Sequence, residues 1–251
     1  MNINAMTNNL FTLQNIVEKT NNINTAKAIT KKWILEKKAQ RIRRNYYTKL
    51  DEHGFSKANI YEIASNITAD AFLCLHTACE YYGAYNQVYT TVQYSSKTAE
   101  REFEYDFMLY KPYKIDYKDE DIVKVGNIKV TTKEKTIADC INYVDIYLED
   151  EELCNILSMI GDVDENKLLK CLTDYNKYFN FQKAGFILTH YKNELNLSDA
   201  FFKVCKSRMG KSIRYLVSEA KLNGEYNKEW NLVIPRDFWY KNEGEVYDEL
   251  I

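Results

Sequence analysis

KKWILEKKAQRIRRNYYTKL, Lys31 to Leu50, decides how this chain is read, because it holds eight positive charges and one negative in a protein of formal net charge −2. Residues 1–50 carry ten Lys or Arg against Glu18 and Glu36, a net of +8. The remainder carries 24 basic and 34 acidic residues, a net of −10. A short basic head on a long acidic body points to an anionic partner for the head. The competing reading is a solvated basic face.

Outward from that stretch, the local patterns arrange the charge. Upstream, Leu13, Ile16 and Val17 make an apolar stripe that predicts a short helix from Thr12 to Lys19. TNNIN breaks it, and Asn24 or Thr25 is a suitable N-cap for a second helix running to about Glu36 or Lys37. At 100° per residue Ala26, Ile29 and Trp33 share one side, while Lys27 and Lys31 project from another with Asn24, Ala28 and Lys32 beside them. In QRIRRNYYTKL, Ile42 and Tyr47 point inward from two short strands, and Arg41, Arg43, Arg44 and Tyr46 surround the turn, where Asn45 suits a positive φ. Helix, turn, basic helix and basic hairpin is the layout of a winged helix-turn-helix. The usual first helix of that layout falls on MNINAMTNNL. Asn24, Thr25, Lys27, Lys31, Lys32, Arg41, Arg43, Arg44 and Tyr46 are therefore the candidate DNA contacts, the wing arginines on phosphates and Asn24, Lys27 and Lys31 on base edges.

The expected fold is α+β, with a DNA-binding domain over residues 1–53 and a larger mixed domain over 54–251 that ends in a helical part. DEHGFSKAN, Asp51 to Asn59, is the expected linker, since the charge balance reverses there and Gly54 interrupts the pattern. Helices are predicted near Ile60–Ile67 and His76–Tyr82, and QVYTTVQYS and REFEYDFMLY read together as a hairpin. Thr131 and Glu134 form a capping box, so a strand ending at Val130 passes into a helix from Thr132 to about Tyr147. Residues 150–195 read as helical, and WNLVI as a late strand. The aromatic run EYYGAYNQVYTTVQY suits either a contact surface or a Tyr-rich core.

Composition narrows the function classes. The 45% hydrophobic content, with 21 Tyr and 11 Phe, supports a globular core. The start has no signal-peptide pattern and no stretch nears a membrane span, so a cytoplasmic protein is expected. The six cysteines lack CxxC spacing and read as buried reduced thiols. Cys74, His76 and Cys79 offer three zinc ligands without a second pair, so no metal or other cofactor is expected.

Several stretches together resemble the AbiEi antitoxins of type IV toxin-antitoxin systems. Arg41-Ile42-Arg43-Arg44-Asn45-Tyr46-Tyr47 is similar to that family's wing, with Asn45 in place of its glycine. IASNITADAFLCLHTACEYYGA resembles a following segment, with Ala78, Tyr82 and Gly83 in register. Thr132 to Asp139 is similar to the family's T-P-E-R-T-L-x-D signature, with Lys133 for proline, and KAGFIL at Lys183–Leu188 resembles a late helix. The resemblance runs from about Phe11 to Ile234. It implies a winged helix that binds double-stranded promoter DNA as an autorepressor. It further implies a second domain that opposes a cognate nucleotidyltransferase toxin in phage defence by abortive infection, by indirect opposition rather than contact. The alternatives are a DNA-binding transcriptional regulator without a toxin partner and, more remotely, a metal-dependent nuclease.

Catalytic patterns are sparse. Asp106, Asp116 and Lys118 imitate a nuclease arrangement, but Lys118 sits in the solvated-looking run YKDED. Glu134 fits a cap, and Lys135 with Asp139 reads as an i,i+4 pair worth a few tenths of a kcal/mol. His53 and His190 have no placed nucleophile. A non-enzymatic protein is expected.

Overall fold

The computed structural model describes residues 1–98 and 101–239. In chain order come β1 (Leu10–Thr12), α1 (Leu13–Thr20), α2 (Ile23–Leu35), β2 (Ala39–Arg43), β3 (Tyr46–Lys49), α3 (Ile60–Ser65), β4 (Phe72–Leu73), α4 (Leu75–Tyr81), β5 (Thr91–Ser95), β6 (Phe103–Tyr105), β7 (Met108–Tyr113), β8 (Ile122–Val125) and β9 (Ile128–Thr131). There follow α5 (Lys133–Tyr143), α6 (Asp150–Met159), α7 (Glu165–Asp174), α8 (Tyr178–His190), α9 (Asp199–Arg208), β10 (Arg214–Tyr215), β11 (Gly224–Asn227) and β12 (Leu232–Pro235). The class is α+β. Two compact units divide the chain. Met1–Leu73, Tyr89–Lys114 and Lys124–Val130 make the first, while Cys74–Val88, Ile115–Val123 and the described chain from Thr131 onward make the second. The chain thus passes between units several times instead of once at residue 53.

In the first unit, the N-terminal residues build a three-stranded sheet of order β1-β3-β2 with α1 and α2. Met1 to Leu10 supplies no α-helix. Ile3–Ala5 forms a 3-10 turn, and the hydrogen-bonding capacity of the Asn residues is spent locally, with Asn2 accepting from the Asn4 N–H. Thr12 caps α1 in a reciprocal box with Asn15, and Asn21 closes the helix at φ 51°. The second helix starts earlier than expected, because Asn22 is its cap: Oδ1 accepts from the N–H groups of Asn24 and Thr25 at 2.9 and 3.0 Å. Ala26, Thr30 and Trp33 are buried along its inner stripe. Trp33 meets Phe11 edge-on at 5.8 Å, and Phe11 stacks on Tyr47 at 5.6 Å. Truncating such a buried tryptophan typically costs about 3–5 kcal/mol.

The expected linker is a closed turn. Asp51 Oδ1 accepts from the His53 and Phe55 N–H groups at 2.9 and 2.8 Å, and the Lys57 N–H donates to the Lys49 carbonyl at 2.9 Å. A six-stranded sheet of order β6-β7-β5-β4-β9-β8 follows. Its hairpin lies wholly within REFEYDFMLY, since β6 and β7 pair antiparallel around Asp106 and Phe107 at φ 51° and 61°. QVYTTVQYS contributes β5, which runs parallel to β7, so the hairpin expected between those two stretches is corrected. Two consecutive positive φ values are the signature of the tight turn that matches strand twist.

The second unit packs α5 to α9 around an apolar core that includes Ile137, Ile141, Leu153, Leu157, Leu172 and Ile187. Its sheet has the order β10-β12-β11. The cap of α5 is Thr132 and not Thr131: Thr132 Oγ1 accepts from the Lys135 N–H at 3.2 Å, while Thr131 Oγ1 bonds Thr136 Oγ1 at 2.7 Å. Glu134 accepts from the Asp164 N–H at 2.9 Å instead of turning back to the cap, and α5 stops at Tyr143. Gly185 is required by a close approach, because a Cβ there would lie 2.0 Å from the Trp230 ring. All six cysteines are buried, and none forms a disulfide.

Candidate nucleic-acid interface

The capping of α2 by Asn22 fixes which residues face outward. Asn24, Thr25, Lys27, Lys31 and Lys32 are all exposed. Lys27 and Lys31 make no ion pair among the described residues, whereas Lys32 reaches Glu36 at 3.7 Å. Glu36 also takes Lys38 at 2.7 Å, and that hydrogen bond holds its carboxyl below the usual value. The first turn of α2 leaves Ile23 45% exposed beside this face.

The β2–β3 turn carries the other candidates, and here the structure sorts them. Asn45 occupies the left-handed region at φ 62°, so the turn needs no glycine. Arg41 and Arg44 are exposed, with no ion pair among the described residues. Arg43 is half-buried: its guanidinium donates to the Ile67 carbonyl at 3.2 Å and lies 5.6 Å over the Phe103 ring. Tyr46 is removed from the surface, which corrects its place among the DNA contacts. A bulge between Arg41 and Arg43 shifts the register so that Tyr46 opposes Arg43, and its buried hydroxyl donates to the Ile63 carbonyl at 3.3 Å. Burial pushes that phenol well above its ordinary range. A bulge cannot be read from alternation alone, since it breaks the two-residue period on which the inward and outward assignment rests.

These elements meet around one cleft of about 360 Å³. Leu13 and Gln14 come from the start of α1, Ile23 from the start of α2, and Arg44 and Asn45 from the turn. Asn22 already takes the Asn24 and Thr25 N–H groups and Thr12 the Asn15 N–H, so what the two helix starts add to Arg44 is the positive end of each dipole, which favours anions.

A second polar centre, which the sequence reading treated as an ordinary surface pair, lies within the second unit. Lys135 and Asp139 are one turn apart on α5 and both are buried, their Nζ and Oδ1 2.6 Å apart. The Tyr175 hydroxyl accepts from Lys135 at 2.8 Å and donates to Asp139, while Lys135 Nζ sits 4.5 Å from the Tyr175 ring centre. Burial pushes the Asp139 carboxyl up to about 6, against the opposing effect of Lys135. The signal available in the sequence was the company these residues keep, Ile137, Ala138, Cys140 and Ile141, which makes α5 a helix buried on nearly all sides.

Of the nuclease-like candidates, Asp116 and Lys118 line one pocket of the second unit. Asp106 is in the β6–β7 turn of the first unit, whereas Lys118 in the second pairs with Asp174 at 2.7 Å. His76 Nδ1 is 3.4 Å from Glu152, His53 is 3.5 Å from Glu52, and His190 stacks on Trp239 at 4.1 Å. Among the described residues no group of His, Cys, Asp and Glu is placed to hold a metal ion, and no helix is long and apolar enough to cross a membrane.

No family model matches the chain, and no curated protein does. Among solved structures it is similar to the Rv2827c protein from Mycobacterium tuberculosis, with 11% sequence identity over 90% of this chain and 86% of that one and a TM-score of 0.63. At that identity the likeness is one of fold.

Proposed function

We propose that the N-terminal elements form a winged helix-turn-helix that binds double-stranded promoter DNA, with α2 in the major groove and the β2–β3 turn along the phosphates. The observation that carries this reading is the set of exposed cations without acidic partners among the described residues, Lys27, Lys31, Arg41 and Arg44, placed on the outward face of α2 and on the neighbouring strand and turn. Cations left unpaired by the protein are available to neutralise phosphates, each releasing about 0.9 counterion. Arg43 supports the turn from within, and Tyr46 holds it to α3.

The test is fluorescence anisotropy on the duplex upstream of the chain's own gene across a salt series. Arg44→Ala and Lys31→Ala each lower the slope of log K against log salt by about one, and Tyr46→Phe leaves the slope unchanged. Slopes equal to that of the unaltered protein in all three variants would sink the assignment.

The broader role follows from the AbiEi resemblance: an antitoxin that represses its own operon and opposes a cognate nucleotidyltransferase toxin without catalysis of its own. Co-expression with a neighbouring nucleotidyltransferase tests it. Restored growth supports the antitoxin role, and absent rescue by a folded, DNA-binding chain leaves a transcriptional regulator.

A further inference from the structure

The Lys135 centre lies in the second unit, whereas every candidate DNA contact lies in the first. It opens on a pocket of about 110 Å³, lined by Tyr117, Asp121, Lys135, Cys171 and Tyr175 together with the exposed Asp116 and the Lys118–Asp174 ion pair. At about 10–15 Å³ for each water-sized position, that is room for a ligand of only several heavy atoms. A pocket this small selects by polar complementarity more than by apolar area.

Its polar groups have spare capacity of both signs. A lysine ammonium carries three donors. Lys135, 3% exposed, gives one to Asp139 and one to Tyr175, and the third has no acceptor among the described residues. Asp121 is 7% exposed. One of its oxygens accepts from the Lys118 N–H at 2.8 Å, and the other has only the weakly donating Cys171 thiol at 3.8 Å. Lys118 is already paired with Asp174, so it does not neutralise Asp121. The pocket therefore presents a buried cation short of an acceptor beside a buried carboxylate short of a donor. The aromatic side chains of Tyr117 and Tyr175 complete the walls.

We propose that this pocket binds a small zwitterion of the free α-amino-acid class, its carboxylate accepting the third Lys135 N–H and its ammonium meeting Asp121. A lone anion would satisfy Lys135 but face the carboxylates of Asp116 and Asp121. A lone cation would satisfy those carboxylates but face the Lys135 ammonium. Only a ligand with both ends answers both needs, and its side chain is limited by the pocket volume. This proposal is independent of the DNA-binding assignment.

Isothermal titration of the full chain tests it, using each α-amino acid in turn, with acetate and methylammonium as single-ended probes. The expected result is saturable binding of at least one small amino acid, tenfold or more tighter than either probe, and weakened at least tenfold by Asp121→Asn. Tyr117→Ala, at a half-buried wall position, serves as the second variant if Asp121→Asn lowers folded yield, and it is expected to weaken binding severalfold. The proposal is overturned if no amino acid binds, if acetate or methylammonium binds as tightly, or if a folded variant binds with unchanged affinity.

Discussion

Lys32 near the end of α2 with Glu36 at its C-cap, and Lys135 with Asp139 on α5, have the same i,i+4 spacing and opposite physical meaning. The first pair is 3.7 Å apart with side chains 71% and 36% exposed, so water and salt screen it, and Glu36 is shared with Lys38. The second is 2.6 Å apart with side chains 4% and 0% exposed, and each charge depends on the other for lost hydration. Spacing determines that two side chains can meet. Burial determines what the meeting is worth, and whether losing one partner matters.

The largest test of that contrast is Asp139→Ala, which strands the Lys135 ammonium in the core. Urea denaturation should show a loss of about 3–5 kcal/mol, and the combined change Lys135→Met with Asp139→Leu should recover most of it. A single-variant loss below about 1 kcal/mol would place the pair with the surface one.

The titration of Asp139 gives an independent reading. Its folded carboxyl titrates at about 6, whereas an unfolded aspartate does so near 3.9. Between these values the native state binds more protons than the unfolded chain, so this group's contribution to stability is full below about pH 4 and is lost as pH rises through 6. The difference in unfolding free energy between the unaltered protein and Asp139→Asn should therefore change across that window and be flat above it. A difference that is constant from pH 4 to 7 would contradict the raised value.

Smaller effects bracket the comparison from the other side. Tyr46→Phe removes the bond to the Ile63 carbonyl and should cost about 1 kcal/mol in the same assay, because that carbonyl keeps only the longer bond from the Asn66 N–H at 3.4 Å. Lys32→Ala should change stability by no more than about 0.5 kcal/mol. A larger loss there would mean that the exposed pair belongs to a network not captured by its distance.

What could be read from residues alone was what neighbours in the chain decide. Asn45 at a positive φ, Thr12 at the head of α1, the inward stripe of Ala26 and Trp33 and the burial of all six cysteines needed only local pattern. Where nearby polar residues compete for one cap, local pattern does not choose between them: Asn22 caps α2 ahead of Asn24 and Thr25, and Thr132 caps α5 in place of Thr131. The parallel pairing of β5 with β7 was hidden because strand partners are chosen across the chain, and alternation in one strand names a face but no neighbour. In the candidate interface the exposed lysines were legible from helical phase, whereas the burial of Tyr46 rests on a bulge, and the Lys135 centre was mistaken for surface because charged residues are so seldom buried.

The first unit is threaded from three separated lengths of chain, the last ending at Val130. On the ribosome this imposes an order of events. Synthesis runs at about 5–20 residues per second, so roughly three to eleven seconds separate the emergence of Leu73 from that of Val130. During that interval β4 lacks its parallel neighbour β9 and the six-stranded sheet stays unfinished, although every residue of the basic helix and its hairpin has already been made. A nascent chain stalled before Val130 would expose strand edges in that period, which makes the tempo of translation between those two points a determinant of yield.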